Sequence, residues 1–142
     1  MQKVSHDWRE LTLEEMGRLL KKHRSGRLGL CDGGRPYVVP VAYGYSDGKI
    51  YFHGAKTGKK LDIIRRNDSV CFEIDQWQKG WASVICYGRV VLRDDFEAKE
   101  RLFRLLMGVE MPAERIEKLN TTIGIVTVEE MTGRCSTDFE FD

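Results

Sequence analysis

Apolar and polar residues alternate along most of this chain, which is the pattern of half-buried β-strands. In the clearest case, Val70, Phe72 and Ile74 alternate with a cysteine and two carboxylates. Similar runs predict strands over residues 27–31, 37–45, 49–53, 84–92, 123–128 and 133–137. Asp47-Gly48 predicts a tight hairpin, because both central positions of such a turn need positive φ.

Helical spacing interrupts the strands in four places. Thr12 and Glu15 form a capping box that opens the first helix. Shorter helices are predicted over 61–67 and after Pro112, and a long one over 94–107. The apolar face of the first helix consists of Leu13, Met16, Leu19 and Leu20. That of the long helix consists of Phe96, Leu102, Phe103 and Leu106, and that of the last helix of Ile116 and Leu119.

The order of these elements predicts a mainly β fold. About six or seven strands follow one another in mostly hairpin order, and the last two are expected to turn at Thr132-Gly133. Most connections are too short for the crossovers of a parallel sheet, except where the helix of residues 57–67 intervenes. The prediction is an antiparallel barrel with short helices at its ends.

Composition narrows the class of protein. The 142 residues are 42% hydrophobic and 32% charged, which is typical of one globular domain over 1–142. The 23 basic and 22 acidic residues leave a net charge of +1, and no basic tract predicts a nucleic-acid partner. No apolar run approaches the ~20 residues that span a bilayer, so no membrane partner is expected.

Cysteine and histidine usage favours a reducing, cytoplasmic location. The charged segment 1–10 lacks the apolar run of a signal peptide. The four cysteines form no CxxC pair and lie mostly in strand-like segments, where a free thiol acts as a small hydrophobe. The three histidines are not at ligand spacing, so no metal is expected, and His6 and His23 are expected to face solvent.

Pro40 marks the first segment with candidate chemistry, because it interrupts a strong strand pattern that includes Val39, Val41 and Ala42. A proline removes a backbone donor and is tolerated only where no neighbouring strand needs that donor. Two readings stay open. The segment is a plain edge strand, or its free backbone groups bind a planar ligand.

The second segment leaves a strand at His53, passes Gly54, Ala55 and three lysines, and enters a helix at Lys59 and Lys60. Glycines let backbone amides approach an anion, and a helix N-terminus adds partial positive charge. The spacing is not that of a P-loop. The segment is either a phosphate cradle or a solvated lysine-rich loop.

Together these segments resemble the FMN-binding split-barrel superfamily that includes pyridoxamine 5′-phosphate oxidase, and its Nim-type, nitroimidazole-reductase-like branch. The resemblance is carried by residues 36–75, begins at 26–30, and continues through 81–89. It implies a split β-barrel with antiparallel strands in Greek-key-like order. It also implies a homodimer with FMN as cofactor, bound at the subunit interface by both subunits.

The resemblance also implies site residues. Val39, Pro40, Val41 and Ala42 would run along the isoalloxazine ring. His53, Gly54 and Ala55 would lie beside the phosphate with Lys59 or Lys60, of which Lys59 matches the family's phosphate lysine best. Trp81 and Ser83 would approach the flavin from the second subunit. No residue is assigned as a catalytic acid or base.

The implied function is a flavin-dependent oxidoreductase that uses a small-molecule electron donor or acceptor, such as a nitro-aromatic compound. The segment 121–142 offers no equivalent of the substrate-phosphate contacts of true pyridoxamine phosphate oxidases, so that activity is not expected. The alternatives are a non-catalytic flavin store or sensor, and a relative that binds haem or a deazaflavin. The dimer interface is expected to contain Val84, Cys86 and the tryptophans at 77 and 81.

Overall fold

The structure is a computed structural model in which residues 7–142 are described. His6 and most of the charged N-terminal segment lie outside them. The elements, in chain order, are β1 (Trp8–Glu10), α1 (Leu13–Lys22), β2 (Ser25–Asp32), β3 (Arg35–Ser46), β4 (Lys49–Gly54), α2 (Lys59–Arg66), β5 (Ser69–Gln76), β6 (Ala82–Arg93), α3 (Phe96–Met107), α4 (Ala113–Glu117) and β7 (Thr122–Ser136).

The strands form a closed antiparallel barrel. The sheet order is β1-β7-β4-β3-β2-β5-β6, and β6 pairs again with β7 to close it. The chain passes from β4 through α2 to β5, which pairs with β2 on the far side of the β3–β4 hairpin. This order, with short helices outside the barrel, confirms the predicted mainly β split-barrel fold.

Alternation places the core inside the barrel. Val70, Phe72 and Ile74 of β5 are buried as predicted. Tyr43 and Phe72 pack edge to face with ring centroids 4.7 Å apart, a favoured geometry for aromatic pairs. The Tyr43 hydroxyl donates a 2.6 Å hydrogen bond to the carbonyl of Leu20, which ties α1 to the barrel. The predicted capping box at the start of α1 is also present.

Several local predictions are wrong. The segment 122–136 is one continuous strand with no turn at Gly133. A Cβ at Gly133 would lie 2.8 Å from the Met16 sulfur, so this glycine lets α1 pack closely against β7. Phe96 is exposed at the start of α3, and β1 was not predicted. His23 is half-buried, with a ring nitrogen 3.2 Å from Gln76 Oε1.

The expected interface residues of β6 also need correction. Val84 and Cys86 are fully buried and point into the barrel, so they are not available to a partner. Burial raises the pKa of the Cys86 thiol to about 12, because the thiolate is disfavoured away from water. The alternate residues Ile85 and Tyr87 face outward, and Tyr87 is exposed.

Helix α3 covers the outer face of β4 and β7. A second buried cluster forms there, with Leu102 and Ala98 of the helix against Tyr51, Ile123 and Ile125. Tyr51 and His53 alternate with core residues on β4, so both side chains lie on this outer face. In the part of the chain that is described, no helix combines the length and apolar character needed to cross a bilayer.

We expect Gly124→Ala to destabilise the barrel, because a Cβ there would overlap the ring of the fully buried Phe52. Such overpacking typically costs about 1–3 kcal/mol. Gly17→Ala is the matched control, since it lies in α1 with open space around it. The control should gain up to about 1 kcal/mol from helix propensity. Urea unfolding of both variants measures the difference, and equal stabilities would contradict this description of the core.

Candidate functional site

Strands β3 and β4 separate part of the way along the barrel. They pair from Ser46↔Lys49 to Tyr43↔Phe52, and no pairing continues beyond that point. The earlier part of β3 pairs only with β2, from Ala42↔Ser25 to Arg35↔Asp32. One edge of β3 over residues 35–42 is therefore unpaired. We call the opening between this edge and the end of β4 the split.

The backbone of β3 shows which groups face the split. The amide of Tyr43 donates to the Arg24 carbonyl, on the β2 side, at 3.0 Å. Successive residues of a strand direct their backbone groups to opposite sides, so the amides and carbonyls of Val38 and Ala42 face the split. Pro36 and Pro40 alternate in the same way as Val38 and Ala42, so their backbone groups also face the split. Their nitrogens, which carry no hydrogen, also lie on the free edge, as predicted for Pro40.

The end of β4 forms the other side of the split. The Gly48 carbonyl accepts a 3.0 Å hydrogen bond from the amide of Val128 of β7. Gly54 follows an even number of residues later, so its carbonyl also points toward β7. The Gly54 carbonyl also accepts a 2.6 Å hydrogen bond from the Thr121 hydroxyl. The backbone groups of His53 point the opposite way, into the split. The exposed Ala55 follows directly after Gly54.

The first turn of α2 closes one end of the split with two lysines. The Lys59 ammonium lies 4.8 Å from the ring centroid of Tyr37 on β3, and that of Lys60 lies 5.5 Å from Phe52 on β4. A Cβ at Gly54 would be 3.2 Å from Lys60 Nζ, so this ammonium rests directly against the end of β4. The two cations thus stand on opposite sides of the split.

These lysines lack carboxylate partners. Within residues 7–142, no ion pair forms to Lys56, Lys59 or Lys60, and the nearby Asp62 and Asp32 bind arginines of α2 instead. The N-cap of α2 is a glycine with φ of 138°, which provides no side-chain acceptor for the first amides of the helix. An unneutralised positive region therefore lies at the end of the split.

Burial and charge shift the pKa values of the groups here. Partial burial lowers the pKa of Lys60, because the ammonium loses hydration. Burial and then the charge of Lys60 lower the pKa of His53. The His53 ring packs against Phe103 of α3, with centroids 5.5 Å apart. A nearby anion would act in the opposite direction on both groups, because it stabilises their charged forms.

Trp81 and Ser83 do not approach the split of their own chain. Ser83 lies on β6, opposite Asp75, and β5 and β2 separate it from β3. Trp81 immediately precedes β6, with its amide donating a 3.0 Å hydrogen bond to Ser136 Oγ. Its ring lies 6.3 Å from the exposed ring of Trp77. The other predicted residues, 39–42, 53–55, 59 and 60, lie along the split.

Sequence reasoning missed Thr121. This residue is buried, with 8% of its surface exposed, and its hydroxyl bonds to a carbonyl 67 positions earlier in the chain. A lone threonine before a strand carries no motif. Only the long-range pairing of β4 with β7 brings it to the split.

Comparison with protein families gives one clear match. A family model described as pyridoxamine 5′-phosphate oxidase matches residues 12–135. A curated relative, an uncharacterised protein from Rhizobium meliloti, is 30% identical over 83 residues, which are 57% of this chain and 54% of the relative. The chain thus matches about half the length of that relative.

Solved structures share the fold along almost the whole chain. An FAD-binding protein from Mesorhizobium loti is 27% identical with a TM-score of 0.76, covering 92% of this chain and 99% of that one. A candidate 5-nitroimidazole antibiotic resistance protein from Bacteroides thetaiotaomicron is 20% identical, with a TM-score of 0.74 and 95% of both chains covered. A flavocytochrome from Azotobacter vinelandii is 18% identical, with a TM-score of 0.73, over 95% of this chain and 72% of that one.

We expect the His53 ring to titrate below its ordinary pKa of 6.5. Because the folded state disfavours the charged ring, the contribution of His53 to stability falls as the pH drops from 6.5 toward the lowered value. Lys60→Met should raise the His53 pKa part of the way back, since burial remains. Lys59→Met is the control, because only Lys60 acts on His53 by its charge. NMR titration measures all three, and equal shifts in both variants would contradict this assignment.

Proposed function

Because the chain belongs to the pyridoxamine 5′-phosphate oxidase family, we propose that it is a flavoprotein that binds FMN in the split between β3 and β4. The observation that carries the proposal is the pair of unneutralised lysines at one end of an unpaired strand edge. A flavin has the complementary shape, since a planar ring system is joined through a flexible chain to a phosphate.

The phosphate end of the split fits a dianion. Lys59 and Lys60 offer ammonium groups with no carboxylate partner in the described chain, and the uncapped first turn of α2 adds its amides. Charge-assisted contacts to phosphate are among the stronger hydrogen bonds. The lowered pKa of Lys60 adds support, because a bound anion compensates for the hydration that this ammonium has lost.

The edge of β3 fits the ring. Val38 and Ala42 present amides and carbonyls, and Pro40 presents a carbonyl, so the edge offers donors and acceptors to a polar ring edge. The prolines remove donors that another strand would need, so they disfavour pairing of this edge with a strand of another chain. On this basis we assign residues 39–42 to the ring, with the backbone contacts made by Pro40 and Ala42, and 53–55, 59 and 60 to the phosphate.

We further propose that the protein is an oxidoreductase acting on small electron-poor substrates such as nitro-aromatic compounds. The flavin would supply the redox chemistry, and the chain would bind it, orient it and limit water at the split. The fold shared with the candidate nitroimidazole resistance protein supports this choice.

The flavocytochrome relative makes haem the alternative cofactor to test. The visible spectrum of purified protein distinguishes the two cofactors, because haem gives a Soret band and flavin gives its own bands.

We also propose a homodimer that joins the outer face of the β3-β2-β5-β6 sheet. This face carries exposed Val38 and Tyr87, which border a cavity of about 410 Å³ together with Gly29 and Cys71. An exposed apolar patch of this kind marks a protein interface more often than free surface. A second subunit placed here would bring its own Trp81 and Ser83 toward the flavin.

The FMN proposal predicts that Lys60→Ala weakens FMN binding about tenfold to a hundredfold, since a charge-assisted contact contributes about 1.5–3 kcal/mol. Lys59→Ala, the residue favoured by the sequence, should have a comparable effect if both lysines contact the phosphate. Riboflavin, which lacks the phosphate, should bind both variants as it binds the wild type. Fluorescence-quenching titration of stripped protein measures these affinities.

Arg66→Ala is the control, because Arg66 lies at the far end of α2, pairs with Asp32 and should leave FMN affinity unchanged. An FAD titration in the same series separates the two flavin cofactors. Equal losses of FMN and riboflavin affinity would place the lysines at the ring. A wild-type protein that binds FMN no better than riboflavin would contradict the proposed cradle.

The dimer proposal predicts that Val38→Asp shifts the protein to a monomer, because it places a charge within the apolar face. Val38 is 65% exposed in the single chain, so the fold itself should lose little stability. Val91→Asp, at a residue 58% exposed on a different part of β6, should stay dimeric. Light scattering measures the mass, and a monomeric wild type with FMN bound would exclude the dimer.

A further inference from the structure

The Thr121 hydroxyl makes a short contact at the end of β4. It donates a 2.6 Å hydrogen bond to the carbonyl of Gly54. Gly54 is the last residue of β4, and Thr122 is the first residue of β7 opposite it. Strand pairing already directs this final carbonyl toward β7, and Thr121 adds a second constraint from just outside the ladder.

The orientation of that carbonyl sets the direction of the next amide. No described peptide bond is cis, and in a trans peptide the carbonyl and the following N–H point in opposite directions. With the Gly54 carbonyl directed to Thr121, the Ala55 N–H is directed away from β7 and into the split. Within the described chain this N–H has no hydrogen-bond acceptor. Lys60 Nζ also lies at this end of β4, 3.2 Å from where a Gly54 Cβ would be.

The segment that carries Thr121 is itself held in place. Lys99, which is 8% exposed, donates a 2.9 Å hydrogen bond to the Leu119 carbonyl. The Thr122 hydroxyl donates a 2.9 Å hydrogen bond to Asp94. Contacts on both sides of Thr121 thus come from α3 and the loop before it. The hydroxyl is a fixed support, which is what orienting a neighbouring peptide requires.

We propose that Thr121 is a positioning residue for the anion cradle: by holding the Gly54 carbonyl, it aims the Ala55 amide at the flavin phosphate beside Lys60. This inference rests on the proposed function. A backbone amide fixed in advance binds an anion without the loss of freedom that a mobile loop would suffer on binding. Gly54 serves the same arrangement, since a side chain there would press against the Lys60 ammonium.

The test is Thr121→Val, which keeps the shape of the side chain and removes the donor. We expect FMN affinity to fall about two- to tenfold, the range for one neutral hydrogen bond, while riboflavin affinity stays at its wild-type value. Thr121→Ser restores the hydroxyl and should restore FMN affinity. Fluorescence-quenching titration measures the affinity for each flavin. The ratio of the FMN affinity to the riboflavin affinity reports on the phosphate alone, because riboflavin lacks it.

Tyr43→Phe is the matched control. It also removes a buried hydroxyl that donates a 2.6 Å hydrogen bond to a backbone carbonyl, but that carbonyl belongs to Leu20 of α1 instead of Gly54. We expect thermal unfolding to show a loss of stability for Tyr43→Phe with the FMN-to-riboflavin affinity ratio unchanged. A merely structural role for Thr121 would give the same result for Thr121→Val.

The outcomes separate the two proposals. Wild-type preference for FMN over riboflavin, with Thr121→Val unchanged or equally weakened for both flavins, would overturn the role of Thr121 and leave the proposed function in place. A wild type without that preference would overturn the phosphate cradle, and the role of Thr121 with it. A selective loss of FMN affinity that Thr121→Ser restores supports the inference.

Discussion

The separation of β3 from β4 beyond Tyr43 and Phe52 is the constraint on which the site depends. A barrel normally pairs every strand edge, and this one remains closed because β6 also pairs with β7. The unpaired backbone groups must then find water or a ligand. Pro36 and Pro40 are among the residues whose backbone faces this edge, so they reduce the number of N–H donors on it. A stable barrel thus carries an open edge that no other strand within residues 7–142 completes.

Charge at the split follows from the same geometry. The N-terminus of α2 reaches both walls, so Lys59 lies over Tyr37 and Lys60 over Phe52. Holding Lys60 half-buried without a carboxylate disfavours the folded state while the ammonium stays charged, and its lowered pKa expresses that cost. An anion that binds here relieves the cost, so binding and folding stability are coupled. The same coupling acts on His53, whose lowered pKa comes partly from Lys60.

Local patterns were sufficient for much of this fold. The alternation at Val70 and the turn at Asp47-Gly48 are short-range signals, and the structure has both, with φ of 51° and 72° in the turn. Gly133 was misread as a turn because its cause is the packing of Met16 against β7, which no local window contains. In β6 both alternate sets are partly apolar, so the pattern did not show that Val84 faces inward. The residues along the split came from the family resemblance, whereas Thr121 depends on strand pairing and carried no local signal.

The position of β6 links the remaining site residues to the quaternary structure. Trp81 and Ser83 are separated from the free edge of β3 by β2 and β5. On the other side of the closed barrel, Ser83 pairs with Arg134, outside the part of β7 that pairs with β4. They would therefore reach a flavin in the split only from a second subunit. The face such a subunit would cover joins Val38 of β3 to Tyr87 of β6 through the register Val38↔Gly29↔Cys71↔Tyr87. Val38 is also a residue whose backbone borders the split. Burying this face would therefore enclose the proposed flavin edge. The dimer and the contacts from β6 thus form one hypothesis, and a monomer that retained FMN would remove the reason for both.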